Sequence, residues 1–416
     1  MISIQRKEDC CGCSACQQIC PQKCITFKAD EEGFPYPHSD LETCIDCHLC
    51  ENVCPVLNQE QERTPIEVYA AYNNNQEIRA NSSSGGIFTL VAEEIIDKNG
   101  VVFGVRWDSD WNAVFDYTTK KEDLHLFRGS KYVQAQLGDT FQQVKEFLLK
   151  QIPVLFTGTP CQIAGLRRYL KKDYEHLLLM DLICEGVPSP KVWQKYLSEE
   201  ICCFKKAYRK SHKKNRTDSY IIDNISFRDK EKGWKSFGLT IYGHFCSDLM
   251  DSPIKMERRS PYLLALFNYL DLRPICYTCP FKKCKSYSDI TIADYWGIHV
   301  HHPEMDDNKG TSMVFVNTNK GKDYLPLEKT TFLKTSYEEN FYFNNIVTSV
   351  ERHRNRDKFY SKIDECKSIK TLLSRCTFPL SYKTKELLKK MLSRIISKKL
   401  YHKLESVWRR AKKSRW

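Results

Sequence analysis

Eight of the ten cysteines between Cys10 and Cys54 repeat one pattern. Cys10, Cys13, Cys16 and Cys20 are followed by Pro21, and 34 residues on, Cys44, Cys47, Cys50 and Cys54 are followed by Pro55. Three thiolates at this close spacing can wrap one face of a 4Fe-4S cubane, while the fourth lies too far along the chain to close the same cluster. In bacterial-type runs of this kind the fourth cysteine ligates the other cluster. That assigns Cys10, Cys13, Cys16 and Cys54 to one 4Fe-4S cluster, and Cys44, Cys47, Cys50 and Cys20 to a second. Zinc ribbons use paired knuckles and need neither a third cysteine at the next step nor a following proline, so zinc is the weaker reading. Cys11 and Cys24 stand outside the pattern and read as small buried residues.

The remaining ten cysteines are scattered. Disulfide frameworks belong mostly to small secreted chains, and Met1 to Cys10 holds Arg6, Lys7, Glu8 and Asp9 with no apolar stretch of the signal-peptide kind. The thiols are therefore expected to be reduced and metal-bound, in the cytoplasm. No apolar run reaches the 18 or so residues of a membrane span. The net charge of +12 is local: residues 381–416 hold 13 Lys/Arg against 2 Asp/Glu, leaving 51 against 50 elsewhere.

These ligands need a frame. The expected fold class is α/β: a bacterial-type ferredoxin (α+β) module over 1–58, a polar linker over 59–66, a mixed α/β domain over 67–375 and a basic helical tail over 376–416. In the first module, Ile2–Ile4 and Cys24–Phe27 are β-prone, and each cysteine run ends in a short helical turn, giving a βαβ-like duplication. In the second, strands are expected at Glu67–Tyr72, Val101–Arg106, Ile152–Thr157, Leu177–Ile183, Ile221–Phe227, Phe237–Tyr242 and Asp289–Ala293. Helices are expected at Ile87–Lys98, Asp139–Lys150, Pro160–Lys171 and from Ser189–Pro190 onward, with a basic surface loop over Lys205–Thr217. This alternation points to partly parallel strands.

Three features of that domain suggest chemistry. Ser82–Gly86 precedes a helix, where free N–H groups could hold a phosphate or where glycine merely eases the turn. Thr157–Gln162 sits at a strand-to-helix junction, a common ligand position in α/β sheets. Cys276 and Cys279 form a C-x2-C knuckle followed by Cys284 and then Asp289–Gly297. No dinucleotide fingerprint or phosphate-binding P-loop motif is present.

In order and spacing, Ser84–Gly86, Arg128–Gln134, Gly158–Gln162, Asp181–Pro190, Cys276–Cys279 and Asp289–Gly297 resemble the beta-subunit family of coenzyme F-420 hydrogenases and dehydrogenases, over roughly residues 1–300. The resemblance implies a flavoprotein carrying FAD and a third 4Fe-4S cluster held by Cys161, Cys184, Cys276 and Cys279, with Cys284 an extra thiol nearby. It places FAD near Ser84, Gly85, Gly86, Gly129, Ser130, Lys131, Tyr132, Asp294, Trp296 and Gly297. Lys131 and Asp294 are the expected catalytic residues, Lys131 by stabilising negative charge on reduced flavin or pairing with a phosphate.

The expected function is an iron-sulfur flavoprotein oxidoreductase, exchanging electrons with a ferredoxin-type donor or acceptor and acting on an organic substrate. Relatives in surface-polysaccharide synthesis suggest a sugar or lipid-linked substrate, with Arg228–Lys230 and Gly233–Trp234 lining its pocket. Rival readings are an electron-transfer subunit without a substrate site of its own, and a scaffold with structural clusters. In the tail, Leu387 to Trp408 carries apolar residues at helical spacing opposite a basic face, suited to peripheral contact with the inner membrane surface. Nothing points to nucleic acid.

Overall fold

The computed structural model describes residues 1–212, 219–245, 260–341 and 345–377. The basic tail beyond 377 lies outside the described residues. The N-terminal module has little regular structure: two short helical turns, Ala15–Ile19 and Leu49–Asn52, and a hairpin of β1 (Ile25–Ala29) and β2 (Pro35–Ser39). The hairpin follows the first cysteine run only, so the expected βαβ-like duplication is half realised. Ile2–Ile4 joins no strand; Ile2 is buried and its N–H donates to Cys50 Sγ at 3.3 Å.

The remaining strands are β3 (Glu67–Asn73), β4 (Val101–Trp107), β5 (Ala113–Thr118), β6 (Val154–Gly158), β7 (Leu177–Leu182), β8 (Tyr220–Asp229), β9 (Gly238–Phe245), β10 (Ile290–Asp294), β11 (Ser312–Val316) and β12 (Thr330–Thr335). Eight of them form one mixed sheet in the order β12-β3-β11-β10-β7-β6-β4-β5. Its middle four, β10, β7, β6 and β4, run parallel. The flanking pairings are antiparallel. The fold is mixed α/β. The central strands read as continuous apolar runs because both faces are covered: Leu177 to Asp181 are all buried, as is every residue of β11. The edge strand β12 is instead largely open to solvent, with only Thr330 buried. β8 and β9 pair as a separate long hairpin.

The helix Ile87–Asp97 covers one face with Ile87, Leu90, Val91 and Ile95. Thr140–Leu149 and Pro160–Leu170 cover the other with Phe141, Val144, Ile163 and Leu166. The stretch expected as a loop from Lys205 is helical as far as His212, within one helix Pro190–His212. Val192, Trp193, Tyr196 and Leu197 form its buried stripe, which Phe204 extends by stacking on Tyr220 at 6.0 Å. Lys and Arg are good helix formers, so the basic residues that suggested a loop are compatible with continuing the helix.

Candidate redox site

In the N-terminal module the sequence repeat becomes a repeat of backbone shape. Ser14 (φ 54°, ψ 8°) and His48 (φ 59°, ψ 7°) occupy the same left-handed conformation between the second and third cysteines of their runs. Each reverses the chain so that the next cysteine enters a helical turn. Cys10, Cys13 and Cys16 are buried. Burial raises the Cys16 pKa, and the neighbouring Cys10, Cys54 and Cys50 sulfurs raise it further, so the two runs pack against each other. Cys20, Cys44, Cys47 and Cys50 line one cavity with Cys24, whose Sγ lies 3.3 Å from that of Cys20. Cys47 is exposed.

Four more thiols gather in the body from three separate segments. β6 ends at Gly158, and Thr159 caps the next helix in a reciprocal box with Gln162, with Pro160 in its first turn. That cap sets Cys161 one residue into the helix, 3.2 Å from Thr159 Oγ1. Cys184 follows the end of the neighbouring parallel strand β7, and its sulfur accepts from Gly186 N at 3.4 Å. Cys276 sits in the 3-10 turn Pro274–Thr278 and Cys279 directly follows it. Their surroundings push all four thiols up. For Cys161 the first cause is its contact with Cys11; for Cys184 (to about 12), Cys276 and Cys279 (to about 11) it is burial, reinforced by other thiols of the set and opposed by local backbone hydrogen bonds. Crowded, desolvated sulfurs of this kind suit bound iron, whose positive charge offsets both penalties. Cys284 is not with them: it packs near Trp234, Tyr295 and Tyr337, and its charged neighbours are Asp181 and Arg63. Among the described residues, no three His, Cys, Asp or Glu side chains converge on a single-ion site.

The segments implied for FAD meet around one residue that the spacing did not single out for this role, Arg228. It is 6 % exposed and holds Asp294 through both terminal nitrogens, at 2.6 and 2.8 Å. It also donates to Tyr132 Oη at 3.2 Å and Ser83 O at 3.0 Å, and lies 3.9 Å from the Phe237 ring centroid. Burial opposes its charge, but Asp294 and Tyr132 hold it firmly protonated. Trp234 donates to Asp294 Oδ1 at 3.0 Å and stacks on Trp296 at 4.5 Å. Ser130 N donates to Ser83 Oγ at 2.8 Å. Lys131 donates to the carbonyls of Leu126 and Arg128, and burial with no carboxylate partner lowers its pKa to about 7. Lys230 binds the carbonyls of Arg79, Ser84 and Lys309 and also falls to about 7, by burial and then by the charges of Arg228 and Arg79.

Part of the serine–glycine loop is occupied by the chain itself. Ser84 Oγ donates to Thr311 O at 2.8 Å, and Gly85 N donates to Ser312 Oγ at 2.9 Å. A Cβ on Gly85 would lie 2.5 Å from Ala71 O, so glycine is needed for backbone packing there. Gly86 starts the helix Ile87–Asp97, and Gly297 starts the short helix Ile298–His301. Around Gly129, by contrast, the space beside the backbone is open.

Residues 9–58 match the model of the 4Fe-4S dicluster domain. Residues 68–141 and 153–339 match, in order, the N-terminal and C-terminal models of the coenzyme F-420 hydrogenase/dehydrogenase beta subunit. The chain belongs to that beta-subunit family. It is similar in structure to a chain of the F-420-reducing nickel–iron hydrogenase complex from Methanosarcina barkeri, with 14% identity over 80% of this chain and 94% of that one, at a TM-score of 0.41. No curated protein matches it. As a member of a hydrogenase/dehydrogenase family with a dicluster domain, the chain has an iron-sulfur electron-transfer role in oxidoreductase chemistry.

In this beta-subunit relative the two cysteine sets are neighbours. Cys11, Cys13, Cys161, Cys276 and Cys279 share one hydrophobic cluster. A Cβ on Gly165, in the helix that carries Cys161, would lie 2.9 Å from Cys13 Cβ. Glycine at that helical position thus lets the N-terminal module approach the body closely. Cys11, read from spacing as a spare residue, bridges the sets by touching both Cys13 and Cys161. A buried ion pair fastens the same junction: Arg356 binds Glu32 of the β1–β2 turn at 2.5 and 2.8 Å.

Proposed function

We propose that the chain relays electrons between a ferredoxin-type partner and an organic substrate, through two clusters of the dicluster domain, a third 4Fe-4S cluster and FAD. The observation that carries this reading is the convergence of Cys161, Cys184, Cys276 and Cys279 beside Cys11 and Cys13, at the carboxyl ends of adjacent parallel strands. Ligands commonly bind there in α/β sheets. Cys161 and Cys184, which follow β6 and β7, would hold the third cluster together with Cys276 and Cys279. A bound flavin accepts electrons singly and passes them on in pairs.

Around it, Arg228 and Asp294 hold the segments 83–84, 129–132 and 294–297 in register. Asp294, already accepting from Arg228 and Trp234, orients these groups. Lys131 brings a positive charge without a carboxylate partner, suited to an FAD phosphate or to negative charge on the reduced ring. Half-exposed Tyr132, Phe237 and Trp296 offer an apolar wall beside it. Arg228 is occupied by Asp294 and Lys230 by three carbonyls, so recognition of an anionic, sugar or lipid-linked substrate falls to the exposed rim. The thiol-rich sites fit a reducing, cytoplasmic setting, with contact to the inner membrane surface assigned to the tail. No helix among the described residues is long and apolar enough to cross a membrane. A second reading, an electron-transfer subunit whose substrate site lies on a partner, is favoured by the family's description as a beta subunit.

The test is anaerobic reduction by dithionite in stopped flow. Wild-type protein should show cluster bleaching followed by flavin bleaching, and Cys161→Ser should keep the first while slowing the second at least tenfold. Equal flavin rates in the two proteins would remove the third cluster from the route.

A further inference from the structure

Arg273 is a buried cation without a carboxylate. It is 0 % exposed, yet among the described residues no Asp or Glu pairs with it. Its Nε donates to Cys10 O at 2.7 Å, Nη1 to Gln134 Oε1 at 3.0 Å, and Nη2 to Pro35 O at 3.0 Å and Cys10 Sγ at 3.4 Å. The rings of Tyr36 and Phe34 flank it with centroids at 4.3 and 5.6 Å. Its own carbonyl accepts from Cys276 N at 2.9 Å. The residue therefore links a cysteine of the N-terminal module, through its guanidinium, to one of the body set, through its carbonyl. An unpaired buried charge costs several kcal/mol. Among its sulfur neighbours, the ones able to offset this charge are Cys10 and Cys276, once ligation to iron has made them anionic.

We propose that Arg273 is a potential-setting residue: it makes the cluster held by Cys10, Cys13, Cys16 and Cys54 the better electron acceptor of the two in the dicluster domain, and so the exit toward the body. A fixed positive charge and an N–H donor at a ligand sulfur both favour the reduced cluster, because charge and hydrogen bonds to sulfur set such potentials. The second set is built differently. Cys47 is exposed, Cys50 Sγ accepts from Ile2 N, Cys20 is favoured as thiolate by backbone N–H groups of residues 22–24, and among the described residues no Arg or Lys side chain donates to Cys20, Cys44, Cys47 or Cys50. Arg273 thus biases electrons entering at the exposed cluster toward the buried one. The direction onward rests on the relay proposed above; the difference between the two clusters does not.

The experiment is a redox titration of anaerobically purified full-length protein followed by EPR, in wild type, Arg273→Gln and Arg273→Lys. In Arg273→Gln the higher-potential cluster of the dicluster domain should become harder to reduce by at least tenfold in its equilibrium constant, about 59 mV for one electron. The other cluster should stay put. Arg273→Lys, which keeps the charge but not the fork, should shift the same cluster in the same direction by less. If Arg273→Gln fails to hold iron, the Lys variant alone decides. Unchanged potentials, or equal shifts of both clusters, overturn the proposal. An iron count of eight with the selective shift intact would refute the third cluster and leave the role of Arg273 standing.

Discussion

The two cysteine sets are built by opposite means. In the N-terminal module, ligands come from short runs whose spacing, with a left-handed residue at Ser14 and at His48, nearly dictates where each sulfur points. The body set depends on the whole sheet: Cys161 and Cys184 meet only because β6 and β7 are parallel neighbours, and Cys276 arrives from a distant turn. A site made by local spacing should survive injury to the surrounding fold, whereas one made by strand order should not.

The largest expected break of that comparison is Asp294→Ala. It leaves Arg228 buried and unpaired, a loss of about 3–5 kcal/mol. Chemical denaturation should show the body destabilised by that amount and flavin lost, while the iron of Cys10–Cys54 is kept. Loss of the N-terminal iron as well would mean that the two regions are one cooperative unit.

Next in size is a pH effect confined to the body. Asp271 is buried with no partner for either side-chain oxygen among the described residues, and burial raises its pKa from 3.8 to about 7. A carboxyl raised on folding contributes stability that is complete below its unfolded value and lost as pH rises through the folded one. Body stability should therefore fall by roughly 4 kcal/mol, at about 1.4 kcal/mol per pKa unit, as pH rises from about 4 to 7. Asp271→Asn should flatten that slope in urea titrations at several pH values.

Gly165→Ala tests the junction. Alanine normally stabilises a helix by about 1 kcal/mol over glycine, but here its Cβ meets Cys13, and overpacking costs about 1–3 kcal/mol. The junction should loosen by about 1 kcal/mol net, read as faster proteolysis of the module from the body. Smallest of all is Cys284→Ser, which should leave iron content unchanged, since Cys284 packs away from the other thiols.

Legibility in the sequence followed the same divide. The duplicated cysteines announced themselves because spacing alone carries their geometry, and the core strands did so because both of their faces are buried. Strands β2, β5, β11 and β12 escaped notice, and the last three take their sheet positions from antiparallel pairings that no local pattern encodes. β11 was hidden for a further reason: five buried residues cannot show an alternation. The helix end at His212 was misread from its charge, where the continuing Phe204 stripe was the better signal. Arg273, Arg228 and Gly165 act through partners more than 60 residues away in sequence, so nothing beside them signals their roles. A buried cation such as Arg273, with no carboxylate partner among the described residues, gains meaning only once the fold shows it against sulfur.

The central claim is that the chain carries three clusters and a flavin in one line. The most direct measurement is iron, sulfide and flavin stoichiometry on anaerobically purified protein, with Cys276→Ala alongside. The account predicts about twelve irons and one flavin per chain, falling to about eight irons in the variant. About eight irons and no flavin in the unaltered protein would contradict it, leaving the dicluster module as the only redox centre.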